Sequence, residues 1–178
     1  MKCNRLLVVV SIAVLNSLWS YGVIAGGKLD DATILAIFDK ANSVDIYTGR
    51  LGAKNGYTEE VRALGRMVAA DHVAVQQMGR DLAKKLNIVP TPPDNDTSVA
   101  DQAKTVLSLQ AVTGPEFDRA YLRHEIVFHQ SVIDAIKKTL LPATKNSELV
   151  SLVKKVLPGF EHHLAATKTV AAKMGLDQ

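Results

Sequence analysis

The sequence predicts an all-α protein: an antiparallel four-helix bundle with one extra short helix in the crossover between the second and third long helices. Three observations carry that expectation. Apolar residues recur with a helical period in four long stretches, and no stretch alternates with the period of a strand. The chain is 47% hydrophobic but only 5% aromatic, and its aliphatics are mixed with Ala, Lys and Glu, a composition that suits helices better than sheet. The links between helices one and two, and between three and four, are short, which makes those pairs antiparallel neighbours. At 178 residues the chain is long enough for one domain with a real core.

The first element lies outside the bundle. Met1 to Arg5 is short and basic, Leu6 to Leu18 is mostly apolar, and Val23-Ile24-Ala25 offers a cleavage site. This is the layout of a secretory signal peptide, and the apolar run is short for a spanning helix. The expected organisation is therefore a signal peptide over residues 1–25 and a helical domain over 26–178, exported and most simply periplasmic. Removing the leader takes two of 21 basic residues and none of 18 acidic ones, leaving 19 against 18 and a net charge of +1 rather than +3. With that, the case for nucleic acid as a partner disappears. The single cysteine, Cys3, leaves with the leader, so the mature chain has neither disulfide nor thiolate chemistry and must be held by packing. No later segment is long and apolar enough to span a bilayer.

Helix one is expected from about Asp30 to Lys54, with Ile34, Ile37, Phe38, Ala41, Val44, Thr48 and Leu51 on its apolar stripe. Asn55-Gly56 should end it in a left-handed turn. Helix two, about Thr58 to Leu86, has Thr58 as its cap, Glu59 and Glu60 at its positive end, and Lys84 and Lys85 at its negative end. Its stripe is Val61, Leu64, Val68, His72, Val75, Gly79, Leu82 and Leu86. Prolines 90, 92 and 93 forbid continuation, and a short helix over about Val99 to Val112 follows. Thr113-Gly114-Pro115-Glu116 has capping-box spacing and should open helix three, which is expected to stop at Pro142. Phe117, Tyr121, Glu125, Phe128, His129, Val132 and Ile136 form its stripe. Helix four, about Ser147 to Met174, carries Leu149, Val153, Val156, Phe160, His163, Thr167 and Val170, with a kink or restart expected at Pro158.

Three of the five histidines interrupt these stripes: His72, His129 and His163. Asp45 holds a similar place on helix one, and Glu125 lies one turn before His129 on the same face. All five stand near the middles of their helices, so an antiparallel bundle would bring them to one level. An unpaired buried charge costs several kcal/mol, so such groups must pair, neutralise or bind a cation. Two readings follow. Three imidazoles and up to two carboxylates make a first shell for a single transition-metal ion, with zinc, copper, iron and manganese undistinguished. The alternative is a purely structural network of hydrogen-bonded Asp–His and Glu–His pairs.

Other residues fit the pattern less well. Asp71 adjoins His72 and should flank the site or face water, while His124 and His162 should lie at the edge or surface. Tyr47 and Tyr121 could donate into the core or simply pack, and Met67 and Met78 should fill space. A phosphate-binding glycine loop, a Gly-x-Ser-x-Gly elbow, a zinc-protease His-Glu-x-x-His and a haem-attachment Cys-x-x-Cys-His are all missing from the mature chain. No nucleophile or general acid stands out, which favours binding over catalysis.

The segments Asp45 to Leu51, Met67 to His72, Phe117 through His129, and Leu157-Pro158 through His163-Leu164 resemble the family called domain of unknown function 4142. These are exported bacterial proteins often labelled predicted outer-membrane proteins. The resemblance spans nearly all of the mature chain, and family-typical positions fall on Asp45, Asp71, His72, Phe117, Asp118, Tyr121, His129, Pro158, His163 and Leu164. It implies a ferritin-like fold and an exported domain. The outer-membrane label conflicts with a mature chain that offers neither barrel strands nor a spanning helix. Ferritin-like di-iron proteins draw Glu from two helices and Glu-x-x-His from two others. Here helix three has Glu125-x-x-x-His129 and helix four has Glu161-His162-His163, so a single histidine-rich ion is easier to build than a carboxylate-rich pair. The competing function is a non-catalytic envelope or stress-related binding protein, with the exposed lysines, the Pro90–Pro93 loop and the short helix as its partner surface.

Overall fold

The computed structural model describes residues 29–176, and the expected signal peptide lies outside them. Among the described residues the protein is all-α, and no helix is long and apolar enough to cross a membrane. The long helices are α1 (Asp31–Asn55), α2 (Glu59–Lys85), α4 (Pro115–Ala135) and α6 (Ser147–Lys173). The short α3 (Ser98–Gln110) lies in the α2–α4 link, and α5 (Leu141–Ala143) extends the path of α4 through a π-helical turn at Ile136–Leu140.

The helix starts follow local chemistry, with some departures from expectation. Asp30 accepts from Thr33 N at 3.1 Å and Asn146 from Glu148 N and Leu149 N, each meeting backbone donors that a first turn leaves unpaired. Thr58 caps α2 as expected, accepting from Val61 N at 3.4 Å. The capping box at Thr113 and Glu116 does not form. The residue before α4 is Gly114, at φ 63°, with Pro115 following and no side-chain cap. Proline at the first helical position has no N–H that needs an acceptor, so the missing cap costs little there. Gly56 also departs from expectation. Its φ of −52° is not left-handed, and glycine is needed for space: a methyl there would stand 2.7 Å from Gly52 O and 2.9 Å from Val61 Cγ1. Nor does the helical path stop at Pro142. The π turn places this proline in the first turn of α5, where it displaces no donor. At Pro158 no new segment starts; α6 runs unbroken from Ser147 to Lys173.

Two apolar clusters fill the interior. One gathers Ile34, Phe38, Val132, Ile136, Leu149 and Val153, and the other Leu51, Val61, Val68, Phe117, Leu122 and Ala171. Each draws on opposite ends of sequential neighbours, so α1 runs antiparallel to α2 and α4 to α6. The half-buried Ile37, Val75, Leu82 and Leu86 mark the edges of the predicted stripes. Between the clusters lies a buried polar layer: Asp45 and Thr48 on α1, His72 on α2, Glu125 and His129 on α4, His163 and Thr167 on α6.

Glycines close one seam of the bundle. A methyl at Gly49 would meet Ala69 N at 2.9 Å, and one at Gly65 would overlap Ala53 N. The connections are pinned too. Asp118, buried on α4, accepts from Tyr57 N at 2.7 Å, Thr58 N at 2.9 Å and the Thr58 hydroxyl at 2.7 Å, clasping the α1–α2 turn. Asp31 does the same for the link before α6, accepting from Lys145 N and Asn146 N.

Candidate metal centre

All five stripe residues are at most 3% exposed, and they meet in the polar layer. One nitrogen from each of His72, His129 and His163 lies within 4.8 Å of the others, and so do ligand atoms of Asp45, Glu125 and His129. His129 belongs to both groups. His72 Nε2 stands 3.2 Å from His163 Nδ1 and 3.3 Å from Asp45 Oδ2, while His129 Nε2 is 4.0 Å from the same oxygen. Phe160 closes over the cluster, its ring centroid 4.9 Å from that of His72.

The outward nitrogens fix the tautomers. Asn42 Nδ2 donates to Phe38 O at 2.8 Å, which turns its Oδ1 toward His72 Nδ1, also at 2.8 Å. His72 therefore donates from Nδ1. His129 Nδ1 donates to the Glu125 carbonyl at 3.0 Å, and His163 Nε2 donates to Asp71 Oδ2 at 2.9 Å. Each imidazole thus spends its proton outward and turns a lone pair inward, the arrangement in which outer hydrogen bonds orient metal-ligating histidines.

The inward lone pairs of His72 and His163 face each other and Asp45 Oδ2, and that of His129 meets no partner. His129 Nε2, both Asp45 oxygens and both Glu125 oxygens are buried without a hydrogen-bond partner. The electrostatics follow from burial. Burial first, then the neighbouring imidazoles His129 and His163, push His72 down to about 2. His129 falls to about 3, mainly by burial and then by His163. His163 is also lowered by burial, against a pull upward from Asp71. All three are neutral at neutral pH, the state in which imidazole ligates. Burial and then Glu125 raise Asp45 well above the carboxylate range. Burial raises Glu125 to about 8, although the Thr48 and Tyr121 hydroxyls oppose the rise from positions that close no hydrogen bond of ordinary geometry.

The flanking residues divide. Asp71 is exposed and still bonded to His163, so it both flanks the site and faces water. His162 is exposed, as expected. His124 is only half-buried, yet its Nε2 is enclosed without a partner and burial lowers it to about 4, so an edge position describes only part of the ring. Tyr121 packs at the α1 seam, where a methyl on Gly52 would meet its ring at 2.5 Å. Tyr47 neither donates inward nor packs in the core: it is 44% exposed, on the face of α1 away from Asp45. Met67 fills space beside the second apolar cluster, but Met78 is exposed. Sequence reasoning missed Asn42. Its signal was available: four residues after Phe38 and three before Asp45, it shares their helix face.

The fold and the site together define a helical bundle with a buried histidine–carboxylate cluster at mid-height. The chain belongs to the family described as Domain of unknown function (DUF4142), whose profile matches residues 24–170. No curated protein and no solved structure matches it.

Proposed function

We propose that this protein binds a single divalent transition-metal ion through His72, His129, His163 and Asp45, with Glu125 beside them, and that it is a binding protein of the bacterial envelope rather than an enzyme. The observation that carries this reading is the pair of bare imidazole nitrogens, His72 Nε2 and His163 Nδ1, facing each other at 3.2 Å beside an unpartnered carboxylate. Two lone pairs repel at that distance unless a cation or a proton lies between them. A tetrahedral shell with bonds of ~2.0–2.1 Å places its ligand atoms about 3.3 Å apart, which two of the separations match at 3.2 and 3.3 Å, while His129 Nε2 stands farther from Asp45 Oδ2, at 4.0 Å. Charge balances as well. Three neutral imidazoles and two ionised carboxylates neutralise one divalent ion, whereas two ions would leave a buried excess of positive charge.

The structural alternative needs a satisfied network, and five buried atoms of the cluster are unsatisfied. Each such group costs about 1–3 kcal/mol. One observation favours that alternative: burial raises Asp45 well above its usual range and so favours its protonated form, which would donate toward His72 Nε2 at 3.3 Å.

The wider setting is part of the proposal. Because α1 and α2 are antiparallel, as are α4 and α6, and the same ends meet in each apolar cluster, α2 and α4 run the same way. The link holding α3 then acts as a crossover along the bundle, which supports the ferritin-like four-helix arrangement. Export to the periplasm rests on the leader-like layout of residues 1–25.

Elemental analysis of protein purified from the periplasm tests the metal reading, with a His72→Ala, His129→Ala double variant beside it and thermal melts with and without chelator. About one equivalent of metal in the wild type, absent from a folded double variant, is the expected result. A metal-free wild type that no added divalent ion stabilises would sink the reading.

A further inference from the structure

A buried ion needs a route in, and the outer partners of the three imidazoles are not alike. His72 rests on Asn42, which is fully buried, and His129 rests on a backbone carbonyl inside α4. His163 rests on Asp71, whose side chain is 56% exposed while that of His163 is 4% exposed. Among the described residues this is the direct hydrogen-bonded link from the ligand set to solvent. The neighbouring α1–α2 seam is shut: Gly49 and Gly65 let the α1 and α2 backbones approach so closely that even a methyl group would not fit.

We propose that Asp71 and His163 form the entrance of the site, between α2 and α6. The Asp71 carboxylate takes up a hydrated divalent cation from solvent. In binding it, Asp71 releases the His163 Nε2–H; the freed ring turns about its Cβ–Cγ bond, keeps its proton on Nε2, takes the cation on the Nδ1 lone pair and carries it inward as it turns back to the cluster. An exposed carboxylate suits the first step, because it attracts cations over a Debye length and exchanges water readily. His163 suits the second, because it alone touches both the surface acid and the interior lone pair on His72.

This inference rests on the metal reading, so the test separates the two. Cobalt(II), followed by its visible absorption, is mixed in stopped flow with the full chain carrying no substitution, Asp71→Asn, Asp71→Glu, or the surface control Asp81→Asn. The expected result for Asp71→Asn is unchanged stoichiometry, a loading rate about tenfold lower and a flatter dependence on salt. Asp71→Glu should restore the rate, and Asp81→Asn should match the wild type. Unchanged loading in Asp71→Asn would overturn the entrance, as would a change confined to the off-rate, which would make Asp71 a positioning residue only. A wild type that takes up no cobalt at equilibrium would instead overturn the metal reading itself.

Discussion

Two sets of buried carboxylates in this protein have opposite surroundings. Asp118 is fully buried and accepts three hydrogen bonds from Tyr57 and Thr58. Asp45 and Glu125 are equally buried, and none of their four oxygens closes a hydrogen bond of ordinary geometry, although the Thr48 and Tyr121 hydroxyls and His129 Nδ1 stand near Glu125. Burying a carboxylate is unfavourable unless donors or a cation compensate. At Asp118 the fold supplies the donors, and the carboxylate fastens the α1–α2 turn. At Asp45 and Glu125 the fold supplies lone pairs instead, so the compensation must come from protons or from a bound ion. Depth of burial therefore does not distinguish a satisfied acid from an unsatisfied one; the direction of the neighbouring dipoles does.

Substitution of the satisfied acid should have the largest effect. Asp118→Ala strands three donors and should lower unfolding free energy by about 3–5 kcal/mol, equally with metal and with chelator in urea titrations. If the loss appeared only with metal present, Asp118 would belong with the site acids. Next, a divalent ion at 100 to 1,000 times its Kd should stabilise the wild type by about 3–4 kcal/mol and leave Asp45→Ala unmoved.

The pH response of the chelated protein should be smaller. Glu125 stands at about 8 in the fold against an ordinary 4.5, so the stability it contributes is full below 4.5 and is lost as pH rises toward 8. His72 and His129 are shifted down from 6.5, so their contribution is full above 6.5 and is lost as pH falls. Chelated protein should therefore melt highest between these limits. Glu125→Gln should reduce the alkaline loss, in which the raised Asp45 shares, by about 1–3 kcal/mol and leave the acid limb intact; a melt profile unaltered above pH 6 would contradict this. Asp45→Asn in chelator should stay within about 1 kcal/mol of the wild type, because an amide of the same shape brings no charge to a place where burial already disfavours one. The smallest contrast concerns caps: Asn146→Ala should cost about 1 kcal/mol, while Thr113→Ala, at the box that does not form, should cost less than about 0.5 kcal/mol.

Much of this was legible in the chain. Three of the four stripes matched their helices to within a residue or two, because a 3.6-residue period of apolar side chains leaves few other ways to bury them; the third ran on to Leu141, whereas α4 ends at Ala135 and a π turn and α5 continue its path. His72, His129, His163, Asp45 and Glu125 were legible as interruptions of those stripes near helix midpoints. The turns were read less well, since Gly56 and Gly114 answer to steric room and to the proline that follows rather than to the rules of a free helix end.

By itself, then, the sequence determined the helices, their apolar faces and the level at which five ionisable groups would meet, because periodicity is a local property of the chain. Tertiary structure alone decided how those groups face one another. It turned Asn42 to fix the His72 tautomer, placed Asp71 between His163 and water, and gave Asp118 its donors while leaving Asp45 and Glu125 with no hydrogen bond of ordinary geometry. Hydrogen bonds depend on ångström distances between side chains far apart in the chain, and no pattern within a single helix records them.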